Sequence, residues 1–452
     1  MSEKRDLVLH APIGRAMWSL SWPLAVANEL SVLHLGILIF WLDRLLGRTG
    51  LAVESLLRPV ELMASWAFAS AGIGASVLIG RSVGARDDRA MAIAAASASL
   101  TGWAWLALAA IAAPLAGVIA SLVAGSLPLD GQVLRFFLPW LLLAFPMVCA
   151  GELLLDVASA TGWTRMGLTR VVRDLAAIAV LMPLAVDTAG LGIAGVPVAV
   201  GVGTALLVGV LAWSMHRRRA ELGLGELPPR WWRPAWPLWR EILAIGLPVS
   251  ASRVVTFAVQ IALVQLTARG GGDDAVGYGI AIAIVLYGGN LCLALGQGAG
   301  LVMAQALGAG MLDRARSALR AGLIGSVLLA SAFQVAMLAD GWILRFFTSD
   351  AAIAARSAVA LSTMQWGLYG LAAWQVLMAS FAARSLSMRA SGLTVFAELA
   401  GLGFALTWPA PSPLESVALA FCVSSGLKTA LLLLAARSSG LLAGTDGSQL
   451  AR

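Results

Sequence analysis

Apolar residues run through this chain in long blocks, and charge, glycine and proline gather in the short stretches between them. About twenty apolar residues suffice to carry a helix across the ~30 Å hydrocarbon layer of a bilayer. Cutting at the polar stretches predicts twelve spanning helices, near 16–42, 51–80, 91–121, 133–159, 166–187, 190–215, 240–268, 274–306, 315–339, 353–383, 386–408 and 413–437. Many exceed twenty residues, a length that permits tilt or broken ends without fixing an angle. The expected fold is all-α and membrane-embedded.

Composition closes the alternatives. Of 452 residues, 60% are hydrophobic and 12% charged, against roughly 45–50% and 25% in soluble proteins. So little charge cannot cover a globule of this size, which excludes a soluble enzyme. Cys149, Cys292 and Cys422 lie far apart inside apolar runs and read as packing residues. The chain shows no Walker loop, HExxH helix or Cys/His pairing. Nor does it carry the paired aspartates, Ser/His dyad or His cluster of a membrane-embedded enzyme. Neither catalysis nor a metal or cofactor is expected. The fourteen mostly polar residues before the first span lack a signal-peptide pattern, so this end is expected to be uncleaved.

Charge sets the orientation. With the N-terminus in the cytoplasm, the inner loops and tails carry 22 of the 31 Lys and Arg residues and the outer loops 7, with 2 inside spans. This is the positive-inside pattern, and it places both termini in the cytoplasm. It also accounts for the net charge of +7 without a nucleic-acid partner. Trp18, Trp22, Trp140 and Trp408 fall near span ends, as an interfacial belt would. A bias toward Ala, Arg and Gly with only two lysines points to a GC-rich bacterial genome, hence to an inner membrane.

The spans form two copies of one half. Residues 15–30 (RAMWSLSWPLAVANEL) align with 240–255 (REILAIGLPVSASRVV), setting Arg15 on Arg240 and Pro23 on Pro248. The end of the second span, GIGASVLIGRSVGA at 72–85, aligns with GQGAGLVMAQALGA at 296–309, pairing Gly72, Gly74, Gly84 and Ala85 with Gly296, Gly298, Gly308 and Ala309. A weaker match sets 161–175 beside 384–399 and pairs Asp174 with Glu398. Six spans per copy is an even number, so the copies share one orientation and are related by an axis along the membrane normal. The expected organisation is an N-lobe over 1–215, a cytoplasmic linker over 216–239, a C-lobe over 240–437 and a cytoplasmic tail over 438–452. Two six-helix lobes facing each other would leave a central cleft in which alternating access can work by rocking. The chain is expected to act as a monomer.

These residues resemble the multidrug and toxic compound extrusion (MATE) family over roughly residues 12–437. The resemblance is carried by the small-residue endings of spans 2 and 8, each followed by an Arg-Ala pair, and by the early proline of spans 1 and 7. TGWTRMG after span 4, GLGIAGVPVA opening span 6 and FFTSDAAI before span 10 add to it. It implies a twelve-helix, two-lobed antiporter that expels organic cations in exchange for protons or sodium ions. The alternative within the superfamily is a lipid-linked oligosaccharide flippase. Such clefts tend to be lined with Arg or Lys, whereas here only Arg253 is a candidate, and twelve spans also disfavour the fourteen-span flippases. One departure bears on coupling. Many prokaryotic members carry an Asp in span 1 where this chain has Ile39, and Asp43 follows one turn later, about 40° around the helix. The second-lobe acids of the sodium-coupled branch have no clear counterpart, so protons are favoured over sodium.

An ionisable residue inside a span costs at least ~2.5–3.5 kcal/mol, which makes it a functional candidate by default. For coupling the candidates are Glu29, deep in span 1, with His34, Asp43 and Glu61. Glu29 and Arg253, near counterparts in the two lobes, would make a gating pair. Asn28, Arg253, Gln260, Gln265, Asn290 and Gln297 are candidates for a polar substrate cleft, or for hydrogen bonds between helices. Glu152 and Asp156, four apart in span 4, are expected to join Arg173 and Asp174 in an inner charge network.

Overall fold

The computed structural model describes residues 3–125, 128–338, 342–348 and 350–440. The tail from 441 onward, Arg452 included, lies outside the described residues, as do residue 349 of the FFTSDAAI motif and the side chain of its Phe346. A short helix α1 (Glu3–His10) precedes α2 (Ile13–Ala85), a run of 73 residues broken at Gly47. There φ is 58° and ψ −147°, a conformation open in practice only to glycine. Spans 1 and 2 are thus the two arms of α2, joined by one residue where the polar stretch LGRTG would serve as a loop. The chain continues with α3 (Ala90–Ala112), α4 (Ala116–Ala124), α5 (Asp130–Pro139), α6 (Phe145–Ala160), α7 (Arg165–Pro183) and α8 (Gly195–Arg217). Then come α9 (Trp236–Ala268), α10 (Gly272–Gly308), α11 (Leu312–Leu338), α12 (Trp342–Phe347), α13 (Ala351–Ala383), α14 (Ser387–Thr407) and α15 (Pro413–Ser438).

Prolines explain two irregular stretches. Pro139 is followed by a π-helical turn, Trp140–Ala144, and Pro183 by another, Leu184–Thr188. A proline inside a helix supplies no N–H and crowds the preceding turn, and a widened turn relieves both. Nine helices among the described residues are long and apolar enough to cross a membrane. The first, α2, supplies two crossings, and the more polar α7 and the 33-residue α13 complete the twelve expected segments. The chain is a multi-pass membrane protein.

By packing, the described residues up to 10 and within 26–250 form one compact unit, and those within 11–25 and from 251 to 440 a second. In the first unit Leu38, Leu42, Val53 and Leu57 of α2 share an apolar core with Val133 and Phe137 of α5, Met182 of α7 and Val196 of α8. Here α9 lies hard against the second arm of α2. A Cβ on Gly74 would strike the carbonyl of Ile242, and one on Gly246 the carbonyl of Ser70. In the second unit α10 packs chiefly on α13, and α13 on α15. There Gly298 of α10 lies against Ser21 of α2 just as closely. Gly74 and Gly298 are repeat partners, and so, by the Pro23–Pro248 register, are Ser21 and Gly246. One small-residue contact therefore occurs twice, once in each unit. Arg5 of α1 donates to the carbonyls of Val83 (3.0 Å) and Gly84 (2.7 Å) in the last turn of α2.

Candidate functional site

On the second arm of α2, Glu54, Arg58 and Glu61 follow one another at spacings of four and three, which puts all three on one face. Arg58 Nη1 lies 3.7 Å from Glu54 Oε1 and 3.5 Å from Glu61 Oε2. Glu54 is only 6% exposed. Among the described residues no group donates a hydrogen bond to either of its oxygens. Glu54 was not among the sequence candidates; its signal was the i, i+4 spacing to Arg58, which Glu61 follows at i, i+3. His34, on the first arm, is half-buried and within electrostatic reach of Arg58. Glu29 and Asn28 are half-buried further toward the start of the helix, each with one buried polar atom that meets no hydrogen-bond partner among the described residues: Oε1 of Glu29 and Nδ2 of Asn28. Asp43 is exposed. No hydrogen bond or ion pair among the described residues joins Glu29, His34 or Asp43 to Glu61.

The repeat partners Asp174 and Glu398 are both buried, and each has a buried base. In the first unit the base is Arg170, 6% exposed. Its Nη1 donates to Glu152 Oε1 at 2.8 Å, and its Nε lies 3.2 Å from Asp174 Oδ2. Arg170 stands one turn before Asp174 on the same face, whereas Arg173, the base expected in this network, is exposed. Asp156 lies against Gly72, where a Cβ would collide with its carboxylate. In the second unit the base comes from another helix. Lys428 of α15 donates to Glu398 Oε1 of α14 at 2.7 Å, and Ser424 donates to Oε2 at 2.9 Å. Glu398 is 2% and Lys428 3% exposed. The ammonium sits 4.8 Å from the centre of the Trp374 ring, a desolvated cation–π contact. The Trp374 indole donates to Thr394 at 3.0 Å. Thr394 precedes Glu398 by four, so it holds the place that Arg170 holds before Asp174.

A void with room for about one water adjoins this pair, lined among others by Gln260, Ser424 and Lys428. Tyr278, fully buried, donates to Gln260 at 2.9 Å. Of the remaining cleft candidates, Arg253 and Asn290 are half-buried and Gln265 and Gln297 exposed. No cluster of His, Cys, Asp and Glu among the described residues could hold a metal ion.

The MatE family model matches residues 248–407. Over 120 residues the chain is 32% identical to a probable multidrug resistance protein NorM of Rhizobium meliloti (strain 1021), a match covering 26% of each protein. It is 22% identical over 345 residues to a probable multidrug resistance protein YoeA of Bacillus subtilis (strain 168), covering 70% of each. The first of these matches thus spans about a quarter of its relative's length. The fold matches a crystal structure of a MATE protein in complex with MaL6, with a TM-score of 0.87 and 19% identity over 98% of this chain and 99% of that one.

Proposed function

We propose that the chain is a transporter of the MATE type, not an enzyme, that exports small organic molecules in exchange for protons by alternating access; the family-model match and the shared fold support this reading. The observation that carries the coupling is the group Glu54–Arg58–Glu61, two acids and one base on an apolar, membrane-crossing helix. Its surplus negative charge is costly in that setting. A proton or a cationic substrate can neutralise it, and each would exclude the other. Lys428 supports protons over sodium, since a tethered ammonium already neutralises the buried acid of the second unit. The relatives are named for multidrug resistance, in keeping with a substrate that is an organic cation or a single amphiphilic metabolite. Fourteen Met and seventeen Trp suit a pocket that receives flat apolar cations. The protein would sit as a monomer in a bacterial inner membrane, both termini cytoplasmic, without a cofactor.

The test is proton movement in proteoliposomes holding an imposed pH gradient, on addition of a panel of organic cations. We expect substrate-triggered loss of the gradient for the native chain and none for Glu61→Gln. Loss abolished instead in Glu29→Gln would move the coupling site to the first arm of α2. No response to any cation, with or without sodium, would refute the antiport reading.

A further inference from the structure

We propose that Glu54 and Glu61 hold one exchangeable proton between them, with Arg58 as their fixed, shared counter-charge. The residue types set the arithmetic. An arginine side chain keeps its charge at any pH a protein meets. Two carboxylates around one guanidinium therefore carry a net charge of −1 when both are ionised and none when one is protonated. The geometry says which acid carries the proton at rest. Arg58 donates to Glu61 Oε2, whereas Glu54, more deeply placed, receives no hydrogen bond at either oxygen. A carboxylate so enclosed is far more costly than the neutral acid. Glu61 is then the ionised partner and Glu54 the protonated one, and the two titrate as a pair.

Among the described residues no second base pairs with either acid. Val53 and Leu57, which flank Glu54 in sequence, sit in the apolar core shared with α5, α7 and α8. Asp130 and Arg135 of α5 and Asp187 of the turn after α7 are exposed, and Arg170 and Asp174 of α7 are engaged with each other. His34, on the first arm, lies within electrostatic reach of Arg58 and Arg170. The role of this proton in transport rests on the antiport reading above; its existence does not.

The experiment is infrared difference spectroscopy of the full chain in lipid nanodiscs across a pH titration, following the carbonyl band of protonated carboxylic acids. Folding of each variant is checked by gel filtration and thermal melting. The native chain should show one titrating protonated carboxyl that Glu54→Gln removes. Glu61→Gln should remove it too, because Glu54 is then left alone with Arg58 and ionises. Arg58→Gln should raise the count to two. A band absent from the native chain, untouched in Glu54→Gln, or at full size in Glu61→Gln would overturn the proposal. Should Glu54→Gln not fold, the Glu61 and Arg58 variants decide the matter by themselves. The two readings fail separately. A band that behaves as described, with no substrate able to move protons, refutes antiport and leaves the site. Antiport without the band refutes the site alone.

Discussion

Replacing Lys428 by methionine isolates what the buried ion pair does. Methionine keeps most of the stem packed against Trp374 but removes the ammonium that lies 2.7 Å from Glu398 Oε1. Glu398 then retains one donor, Ser424 at 2.9 Å on the other oxygen, in a place where it is 2% exposed. Breaking a buried pair by removing one partner costs about 3–5 kcal/mol, while replacing both partners with apolar groups is often neutral or stabilising. We therefore expect Lys428→Met to lose about 3 kcal/mol or more, and the double variant Glu398→Leu, Lys428→Met to recover most of that loss. Unfolding in mixed micelles by titration with dodecyl sulfate, followed by tryptophan fluorescence, measures all members of the cycle. A single variant within about 0.5 kcal/mol of the native chain, or a double variant no more stable than the single one, would refute the reasoning.

Four further outcomes follow from the same geometry. Arg170→Gln should cost less than Lys428→Met in the same assay, because Glu152, one of its two acids, is exposed and returns to solvent. Gly246→Val and Gly298→Val should both destabilise by about 1–3 kcal/mol or more through overpacking, visible as lower melting temperatures; a tolerated valine at either site would contradict the doubled contact. Gly47→Ala should cost about 1–3 kcal/mol by forcing a side chain into a conformation reserved for glycine, read in the same melts. Arg5→Ala should speed amide hydrogen exchange at the end of α2, since the Val83 and Gly84 carbonyls lose a charged donor. Burial, with Arg86 nearby, holds the Arg5 guanidinium below its ordinary value, yet arginine starts so far above neutrality that the effect should not vary between pH 5 and 8.

The spans were legible because bilayer thickness leaves a twenty-residue imprint on hydropathy, and the duplication because small residues at helix crossings cannot be exchanged for large ones. Gly74 and Gly298 show the second point: each sits where a Cβ would meet a neighbour. The division of the chain by packing was not legible. Nothing in 11–25 or 236–250 announces which set of helices it will lie against, since packing partners over such distances leave no local pattern. The π turns after Pro139 and Pro183 were likewise hidden, because the apolar run continues through them. At the candidate site, Glu61 and its ion pair with Arg58 were visible as i, i+3 neighbours. The depth of Glu54 was not, since it lies at the edge of its span in sequence and inside the core in the fold.

The acids Asp174 and Glu398 show how a repeat can be kept while its chemistry moves. Each must be neutralised, because an unpaired carboxylate at that depth is more costly than either repeat could tolerate. The first unit solves this within one helix, with Arg170 a turn earlier. The second places Thr394 at that position, fills the space with the Trp374 indole hydrogen-bonded to it, and brings the cation from α15 as Lys428. The two solutions differ in charge, since Arg170 also meets the exposed Glu152 of α6, and in mechanics. Arg170 and Asp174 move together with one helix, whereas Glu398 and Lys428 pin α14 to α15. Any rearrangement that separates those two helices must break a bond between buried charges, and one that moves α7 as a unit need not. The buried interhelical pairing therefore belongs to the second unit, whereas in the first the bond between α6 and α7 ends on an exposed acid, Glu152.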